Sequence, residues 1–235
     1  AVNHGGRRLV DCPLDPEGWR LDPERLEASI DEGTKVILTC NPHNPSGRVF
    51  DRDELTAIAE VAERHDLLVL SDEIWADIVF PGSTHVPMAN ISPEAAARTV
   101  TISAASKAFN LAGLRTAVAH VGHTGVRDAI DELPSHALGG LSTPGLEATL
   151  ACWTEGDGWL DGLVRHLTEQ RNHLAVRLAE DVPGSRFQLP EATYLNFIDL
   201  SGCGLGDDPA PFIEQHGLAV NPGVAFGTNG EGHIR

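Results

Sequence analysis

The residue with the clearest chemical potential in this sequence is a lysine that follows a short apolar run. Lys107 comes after the run 99–102 and lies among the small residues of the stretch 103–108. Apolar surroundings disfavour the ammonium form, so a desolvated amine there can act as a nucleophile towards a carbonyl near neutral pH. A lone lysine is usually a solvated surface residue. Its neighbours in sequence therefore decide whether Lys107 takes part in a reaction.

Two further sets of polar residues follow apolar runs of strand length. The run Lys35–Cys40 ends in a segment with two Asn-Pro pairs, which contains Asn44, and a second run, Leu67–Leu70, leads to Asp72. Helix-like segments alternate with these runs, which is typical of a parallel sheet with helices on both faces. Ligands of such sheets sit outside the carboxyl ends of the strands. The sequence thus predicts Asn44, Asp72 and Lys107 at one edge of a sheet.

The remaining predicted elements continue the alternation of strand and helix and then, towards the C-terminus, form an α+β pattern. The strand predictions are Arg7–Val10, Lys35–Cys40, Leu67–Leu70, Thr99–Ile102, Thr116–Gly122, Arg186–Gln188, Tyr194–Leu200 and Leu218–Val220. The helix predictions are 22–30, 53–65, 93–97, 125–133, 144–153, 158–180 and 209–216. We expect a large α/β domain over residues 1–155 and a smaller α+β domain over 156–235. The continuous apolar run Lys35–Cys40 predicts a parallel strand that is covered on both faces.

Composition excludes several classes of function. The 17 basic and 34 acidic residues give a net charge of −17, which disfavours nucleic acid or an anionic membrane surface as partners. No apolar run approaches the roughly 20 residues that span a bilayer, and no signal-peptide pattern opens the chain. The four cysteines are widely spaced and the histidines show no ligand pattern, so we expect no disulfides, no metal and a cytoplasmic location. The chain opens without methionine, and we expect it to be an internal piece of a longer protein.

The segment Ser106-Lys107-x-Phe109-Asn110-x-x-Gly113-Leu114-Arg115 resembles the cofactor-lysine segment of fold-type I pyridoxal-phosphate enzymes, the aspartate aminotransferase superfamily. The resemblance implies a three-layer αβα large domain with a mostly parallel sheet, and pyridoxal 5'-phosphate as the cofactor. It also implies that Lys107 holds the cofactor, that Arg115 contacts its phosphate and that Ser106 belongs to the same site. Ala104 departs from the family pattern, because many members have a phosphate-binding serine there.

Two other segments carry the same resemblance. The signature Asn-Pro-x-Asn-Pro-x-Gly at 41–47 implies that Asn44 donates to the phenolic oxygen of the cofactor. The segment Asp72-Glu73-Ile74-Trp75 implies that Asp72 keeps the pyridine nitrogen protonated, so that the ring can accept electrons from the substrate. Trp75 departs from the family pattern. It stands where a Tyr or His often supports the phenolic oxygen, and an indole donates but does not titrate.

The resemblance also implies a small amino-acid substrate. Arg235 resembles the arginine that grips the substrate α-carboxylate, and Asn44 is a second candidate for substrate binding. Tyr194 is either a cleft residue that contacts the substrate or a half-buried strand residue. Members of the family are usually homodimers, and a phosphate-cradling loop and a ring-stacking aromatic residue of their N-terminal part have no counterpart in this sequence.

Three functions fit these residues. The combined motifs look most like the branch of cystathionine β-lyases and cysteine-S-conjugate β-lyases, of which Phe109-Asn110 after the lysine is typical. Arg115 is typical of class I/II aminotransferases, so transamination is the alternative. A non-catalytic regulatory homologue is a third possibility. The intact set of candidate residues counts against it.

Overall fold

The fold is built on a four-stranded sheet. A computed structural model describes residues 5–134, 137 and 139–235 of the chain. The strands β1 (Val36–Cys40), β2 (Leu68–Asp72), β3 (Thr99–Ser103) and β4 (Val118–Val121) lie in the order β1-β2-β3-β4. The β1-β2 and β2-β3 pairs are parallel, whereas β4 runs antiparallel to β3. The sheet is thus mostly parallel, as predicted, and its three parallel strands end at one edge.

Every predicted helix is present, with end residues that differ by at most a few positions. The helices are α1 (Pro23–Ala28), α2 (Arg52–Arg64), α3 (Pro93–Arg98), α4 (Thr124–Asp131), α5 (Thr143–Glu155), α6 (Asp157–Asp181) and α7 (Ala210–Gln215). The first five helices begin with a side-chain cap. At α2 the Asp51 side chain accepts from Glu54 N while the Glu54 side chain accepts from Asp51 N. None of the helices in the described ranges is long and apolar enough to cross a membrane.

One side of the sheet is packed and the other is partly open. Residues of α1, α2 and α3 form a core cluster with alternate residues of the strands, for which Ile37 and Val69 are examples. The opposite face of β1 is different, because Val36 is 48% exposed and Leu38 is 61% exposed. The prediction that β1 is covered on both faces is therefore wrong for the described chain. A continuous apolar run identifies a strand but does not show what covers it.

The C-terminal part forms a second packed unit. Its strands β5 (Ile198–Asp199) and β6 (His233–Ile234) pair antiparallel. Their buried residues pack with α7 and with Leu174 and Leu178 near the end of α6. The proposed division at residue 155 stays a prediction.

Four strand predictions in irregular regions are wrong or too long. Residues 7–10 and 218–220 contain no strand, and Arg186 makes only an isolated bridge to Asp199. The predicted strand Tyr194–Leu200 shortens to the two residues of β5. These segments are short and half exposed, so local patterns of apolar residues decide little there.

Candidate active site

The candidate residues meet at the carboxyl edge of the sheet. Cys40, the last residue of β1, lies in register with Asp72, the last residue of β2, and Asp72 lies in register with Ile102 near the end of β3. Each of the three strands then leads directly into a turn. The predicted convergence of three strand ends is confirmed. The chemical roles of the side chains are not tested by their placement and stay predictions.

The turn after β1, residues 41–47, which we call the β1 turn, is buried and closely hydrogen-bonded. Its backbone contains the bonds Asn41 N to Asp72 O (3.0 Å), His43 N to Arg48 O (2.8 Å) and Gly47 N to His43 O (2.7 Å). His43 Nδ1 lies 2.8 Å from Ser46 Oγ. Burial, aided by the charge of Arg48, lowers the pKa of His43 to about 4, so its imidazole is neutral at physiological pH. These hydrogen bonds hold the backbone on both sides of Asn44 in place.

Asn44 and Arg235 are joined although they lie 191 positions apart in sequence. Arg235 Nη1 donates to Asn44 Oδ1 at 2.9 Å, and Nη2 donates to Asn221 Oδ1 at 2.9 Å. The guanidinium carbon lies 4.5 Å from the centre of the Phe226 ring. Because Asn44 Oδ1 accepts from Arg235, the Nδ2 amide is the group with which Asn44 can donate to a ligand. The fold thus brings together two of the candidate substrate-binding residues, Asn44 and Arg235.

Asp72 is a half-buried carboxylate beside the lysine. Its Oδ1 accepts from Ile74 N at 3.2 Å. Burial raises the pKa of Asp72, and the nearby Glu73 acts in the same direction, whereas the Ile74 N–H and the Lys107 charge lower it. Burial is the largest of these effects. A cation placed against this carboxylate would offset the cost of its ionised form.

Lys107 lies over an aromatic pair rather than within an apolar enclosure. It is half-buried, and its Nζ is 5.3 Å from the centre of the Trp75 ring. The Trp75 ring is buried and meets the Tyr194 ring edge-on, with centres 4.7 Å apart. An ammonium over an indole is electrostatically stabilised. The desolvated setting expected for Lys107 is thus only partly present in the described chain.

Tyr194 lies in a bend and not in a strand. Its side chain is 45% exposed and packs on Trp75. Burial raises the pKa of Tyr194, and the positive charge of Arg235 acts in the opposite direction. Tyr194 therefore packs on the ring that Lys107 lies over and is near enough to Arg235 for that charge to act on it. This position agrees with the cleft alternative for Tyr194.

The turn after β3, residues 104–115, which we call the β3 turn, is anchored near Lys107 and exposed at its far end. Trp159 Nε1 of α6 donates to Ala108 O at 3.0 Å. Gly156 lies so close to Phe109 that an added Cβ would be 2.5 Å from the ring. Arg115 ends the turn in a left-handed conformation (φ 53°) and is exposed. In the described part of the chain the Arg115 guanidinium makes no hydrogen bond or ion pair. Ser106 precedes Lys107 and is half-buried.

Sequence reasoning missed several residues that complete this edge. Asn221 and Phe226 hold Arg235 from two sides. The buried residues Glu73 and His85 pair behind Asp72. The Asn-Pro-Gly turn that begins at Asn221 was the only local signal, because the other contacts depend on tertiary packing. The described ranges contain no group of three or more His, Cys, Asp or Glu residues that could hold a metal ion.

Comparison with known proteins agrees with this geometry. The cystathionine beta-lyase PatB of Bacillus subtilis (strain 168) is 32% identical over 240 residues, which are all of this chain and 62% of that protein. The crystal structure of a PLP-bound putative aminotransferase from Clostridium difficile 630 superposes with a TM-score of 0.93 at 31% identity, over 99% of this chain and 62% of the other. The PLP-bound C-S lyase from Staphylococcus hominis superposes with a TM-score of 0.87 at 31% identity, over 95% and 58%.

These likenesses confirm the predicted fold class, a three-layer αβα arrangement with a mostly parallel sheet. The chain spans about six tenths of the length of these relatives. The family model described as aminotransferase class I and II matches residues 1–235. The chain belongs to the class I and II aminotransferase family.

Proposed function

We propose that the protein is a pyridoxal-phosphate-dependent carbon–sulfur β-lyase that acts on cystathionine or related cysteine S-conjugates. The observation that carries the proposal is the joining of Asn44 to Arg235, with Lys107 and Asp72 at the same edge. The motif around Phe109 and Asn110 favours the lyase branch. The relatives named as a cystathionine β-lyase and a C-S lyase support the same reaction.

The residues at the edge fit the proposed cofactor chemically. The set offers one primary amine, one carboxylate, one amide donor and the guanidinium groups of Arg115 and Arg235. When bound, pyridoxal 5'-phosphate supplies an electron sink for bonds broken at the substrate α-carbon. Asp72 is suited to pair with the ring nitrogen, since its own pKa is raised by burial and a neighbouring positive charge would relieve that penalty. Asn44 Nδ2 would donate to the phenolic oxygen, and Arg115 would pair with the phosphate.

The other side chains have distinct tasks in this proposal. Lys107 would hold the cofactor and its amine would take the proton from the substrate α-carbon. Arg235 would bind the α-carboxylate, and its bonds to Asn44 and Asn221 fix the plane of the guanidinium before the substrate arrives. Tyr194 would line the side of the substrate next to Trp75.

The proposed reaction is an elimination. Loss of the α-proton to Lys107 places an electron pair next to the β-carbon, and the carbon–sulfur bond breaks as the thiolate leaves. With L-cystathionine and water the products are homocysteine, pyruvate and ammonia. A small amino-acid substrate suits a site in which Arg235 is held in place to bind one carboxylate.

The test is to supply L-cystathionine without any keto acid and to measure pyruvate and free thiol over many turnovers. We expect both to accumulate in equal amounts. The Arg235→Lys variant should raise KM, because an ammonium does not reproduce the two-pronged bonds to Asn44 and a carboxylate. Absence of pyruvate with a fully loaded protein would overturn the lyase assignment.

The second candidate function is amino transfer between an amino acid and a 2-oxo acid. It is favoured by the likeness to the solved protein described as a putative aminotransferase, and by Arg115. The same experiment separates the two reactions. A transaminase would stop after one equivalent of amino acid and resume when 2-oxoglutarate or pyruvate is added.

We also propose that the protein works as a homodimer in a reducing compartment, the cytoplasm. All four cysteines, which lie in the described ranges, are free thiols, and burial raises the pKa of Cys40 to about 11. A thiol with so high a pKa is protonated and unreactive at neutral pH. Sedimentation of the purified protein would measure the assembly, and a monomer at micromolar concentration would contradict the dimer.

A further inference from the structure

A buried hydrogen-bonded pair lies directly behind the strand-end edge, and the proposed reaction does not use it. Glu73 Oε2 and His85 Nε2 are 3.0 Å apart, and their side chains are 4% and 9% exposed. Glu73 follows Asp72 in sequence. Its second oxygen, Oε1, accepts from Ser71 Oγ at 2.8 Å and from Met88 N at 3.0 Å. Such a pair in a protein interior requires partners on every polar atom.

The next partner of His85 is the first residue of the β1 turn. Asn41 is 1% exposed, and its Nδ2 makes a long contact of 3.4 Å to His85 Nδ1. Asn41 Oδ1 accepts from Phe50 N at 2.9 Å. The backbone N–H of Phe50 can only donate, so the atom that faces it is the oxygen and the atom that faces His85 is the amide nitrogen.

This orientation fixes the proton on the imidazole. The amide nitrogen of Asn41 can only donate, so His85 Nδ1 accepts and carries no hydrogen. The hydrogen is therefore on Nε2, where it donates to Glu73.

From these contacts we infer that His85 is a positioning residue for Asn44, acting through Asn41 and the β1 turn. Asn41 closes the segment 41–50 by its bond to Phe50, and His85 holds the side chain that makes this bond. Asn44 lies within the closed segment and donates to the ligand in the proposed function, on which this inference rests. Glu73 sets the tautomer of His85 that makes the Asn41 contact possible.

Two substitutions separate the two contacts of His85. In His85→Gln the amide reaches Glu73 as Nε2 does, but nothing replaces Nδ1 at Asn41. In His85→Asn the shorter side chain presents an oxygen near the Nδ1 position for Asn41 and leaves Glu73 Oε2 without its partner. A matched control is His65→Gln, because His65, which follows α2, pairs with Glu27 of α1 at a partly exposed position.

We expect the two variants to split affinity from stability. His85→Gln should weaken binding of pyridoxal 5'-phosphate, titrated by absorbance, by about tenfold with little change in Tm. His85→Asn should lower Tm because the buried Glu73 Oε2 loses its donor, with cofactor affinity nearly kept. The His65→Gln control should leave affinity unchanged. The reverse pattern, or equal losses of Tm and affinity in both variants, would overturn the inference.

A second measurement does not depend on the cofactor. In ¹⁵N-labelled protein without pyridoxal 5'-phosphate, His85 should show a protonated Nε2 and an unprotonated Nδ1, and His85→Gln should speed hydrogen exchange at the Phe50 amide about tenfold. A doubly protonated His85, or unchanged exchange at Phe50, would refute the positioning role. If the wild-type protein binds no pyridoxal 5'-phosphate, the proposed function fails, and this measurement still decides the role of His85 in holding the turn.

Discussion

The β1 turn and the β3 turn start from the same edge of the sheet, but the protein holds them very differently. Asn41, Gly47 and most of the β1 turn are buried, and Gly47 O accepts from both Glu191 N (2.9 Å) and Ala192 N (2.8 Å). The β3 turn is buried at Ala104 and Ala105 and becomes exposed towards Arg115. In the described ranges the hydrogen bonds of its far end are short-range, such as Leu114 N to Leu111 O (2.9 Å).

The difference shows which half of the site the described chain organises by itself. The segment 190–193 crosses the β1 turn and ties it to residues 78–80 through Phe80 N to Glu191 O (2.9 Å) and Thr193 N to Ile78 O (2.8 Å). Asn44 and Arg235 are therefore placed before any ligand binds. Arg115 has no such support in the described ranges, and a phosphate would supply the partner that its guanidinium lacks there. Binding should order the β3 turn more than the β1 turn.

The largest effect is expected at the amine of Lys107, which belongs to the β3 turn. Lys107→Ala should reduce turnover of L-cystathionine by at least about 10⁴-fold, because it removes both the cofactor attachment and the base. Lys107→Arg is the control, since it keeps a cation near the Trp75 ring but has no nucleophilic amine. Steady-state pyruvate release measures the loss. A Lys107→Ala variant within tenfold of wild type would show that the reacting amine is elsewhere.

The second-largest effect is expected at Asp72, where removal of the charge should lower activity without lowering stability. Asp72→Asn should lower kcat about 100-fold or more by removing the charge opposite the ring nitrogen. The folded-state pKa of Asp72 is raised by burial. Stability therefore falls as pH rises from the ordinary carboxyl pKa through the raised one, and the full cost is present above it.

The neutral amide of the Asp72→Asn variant does not ionise, so it carries no such penalty. The apo form of this variant should thus have a Tm at pH 7 equal to or higher than that of wild type, and a smaller drop in Tm between pH 4 and pH 7. Thermal unfolding at the two pH values measures this difference. A lower Tm at pH 7 would show that the bond of the carboxylate to Ile74 N and its attraction to Lys107 outweigh burial.

The third prediction concerns a substitution that disrupts the packing of the β1 turn. Gly47 has a φ of 70°, and an added Cβ would lie 2.4 Å from Pro190 Cβ and 2.7 Å from Ala192 O. Gly47→Ala should lower the free energy of unfolding by about 3 kcal/mol through backbone strain and displacement of the crossing segment. Gly82→Ala is the control, because Gly82 also has positive φ (102°) with nothing within 4 Å. It should cost only about 1 kcal/mol. Equal losses in urea unfolding would contradict the packing argument.

The smallest effect is expected at the exposed end of the β3 turn. Arg115→Ala should change the free energy of unfolding of the apo protein by less than about 0.5 kcal/mol, since exposed residues without partners contribute little. Its effect should appear on the cofactor alone, as weaker binding of pyridoxal 5'-phosphate and not of pyridoxal. Equal loss of affinity for both compounds would remove Arg115 from the phosphate site.

Predictions from sequence were strongest where a pattern is long or chemically specific. The helix predicted over 53–65 has a long apolar stripe, and it differs from α2 (Arg52–Arg64) by one residue at each end. The three parallel strands were identified for the same reason, and their shared direction was enough to bring Asn44, Asp72 and Lys107 to one edge. Short strands such as Ile198–Asp199 were not, because two paired residues carry no periodicity.

The sequence by itself determined the α/β class, the family resemblance and the residue types at the strand ends, since these depend on local periodicity and on motifs read along the chain. Only the tertiary structure decided which of those residues touch. The bond between Arg235 and Asn44, the packing of Lys107 over Trp75 and the pairing of Glu73 with His85 join positions far apart in sequence or follow from side-chain directions. Contacts of this kind form when packing brings separate elements together, and no local pattern encodes the distance between their atoms.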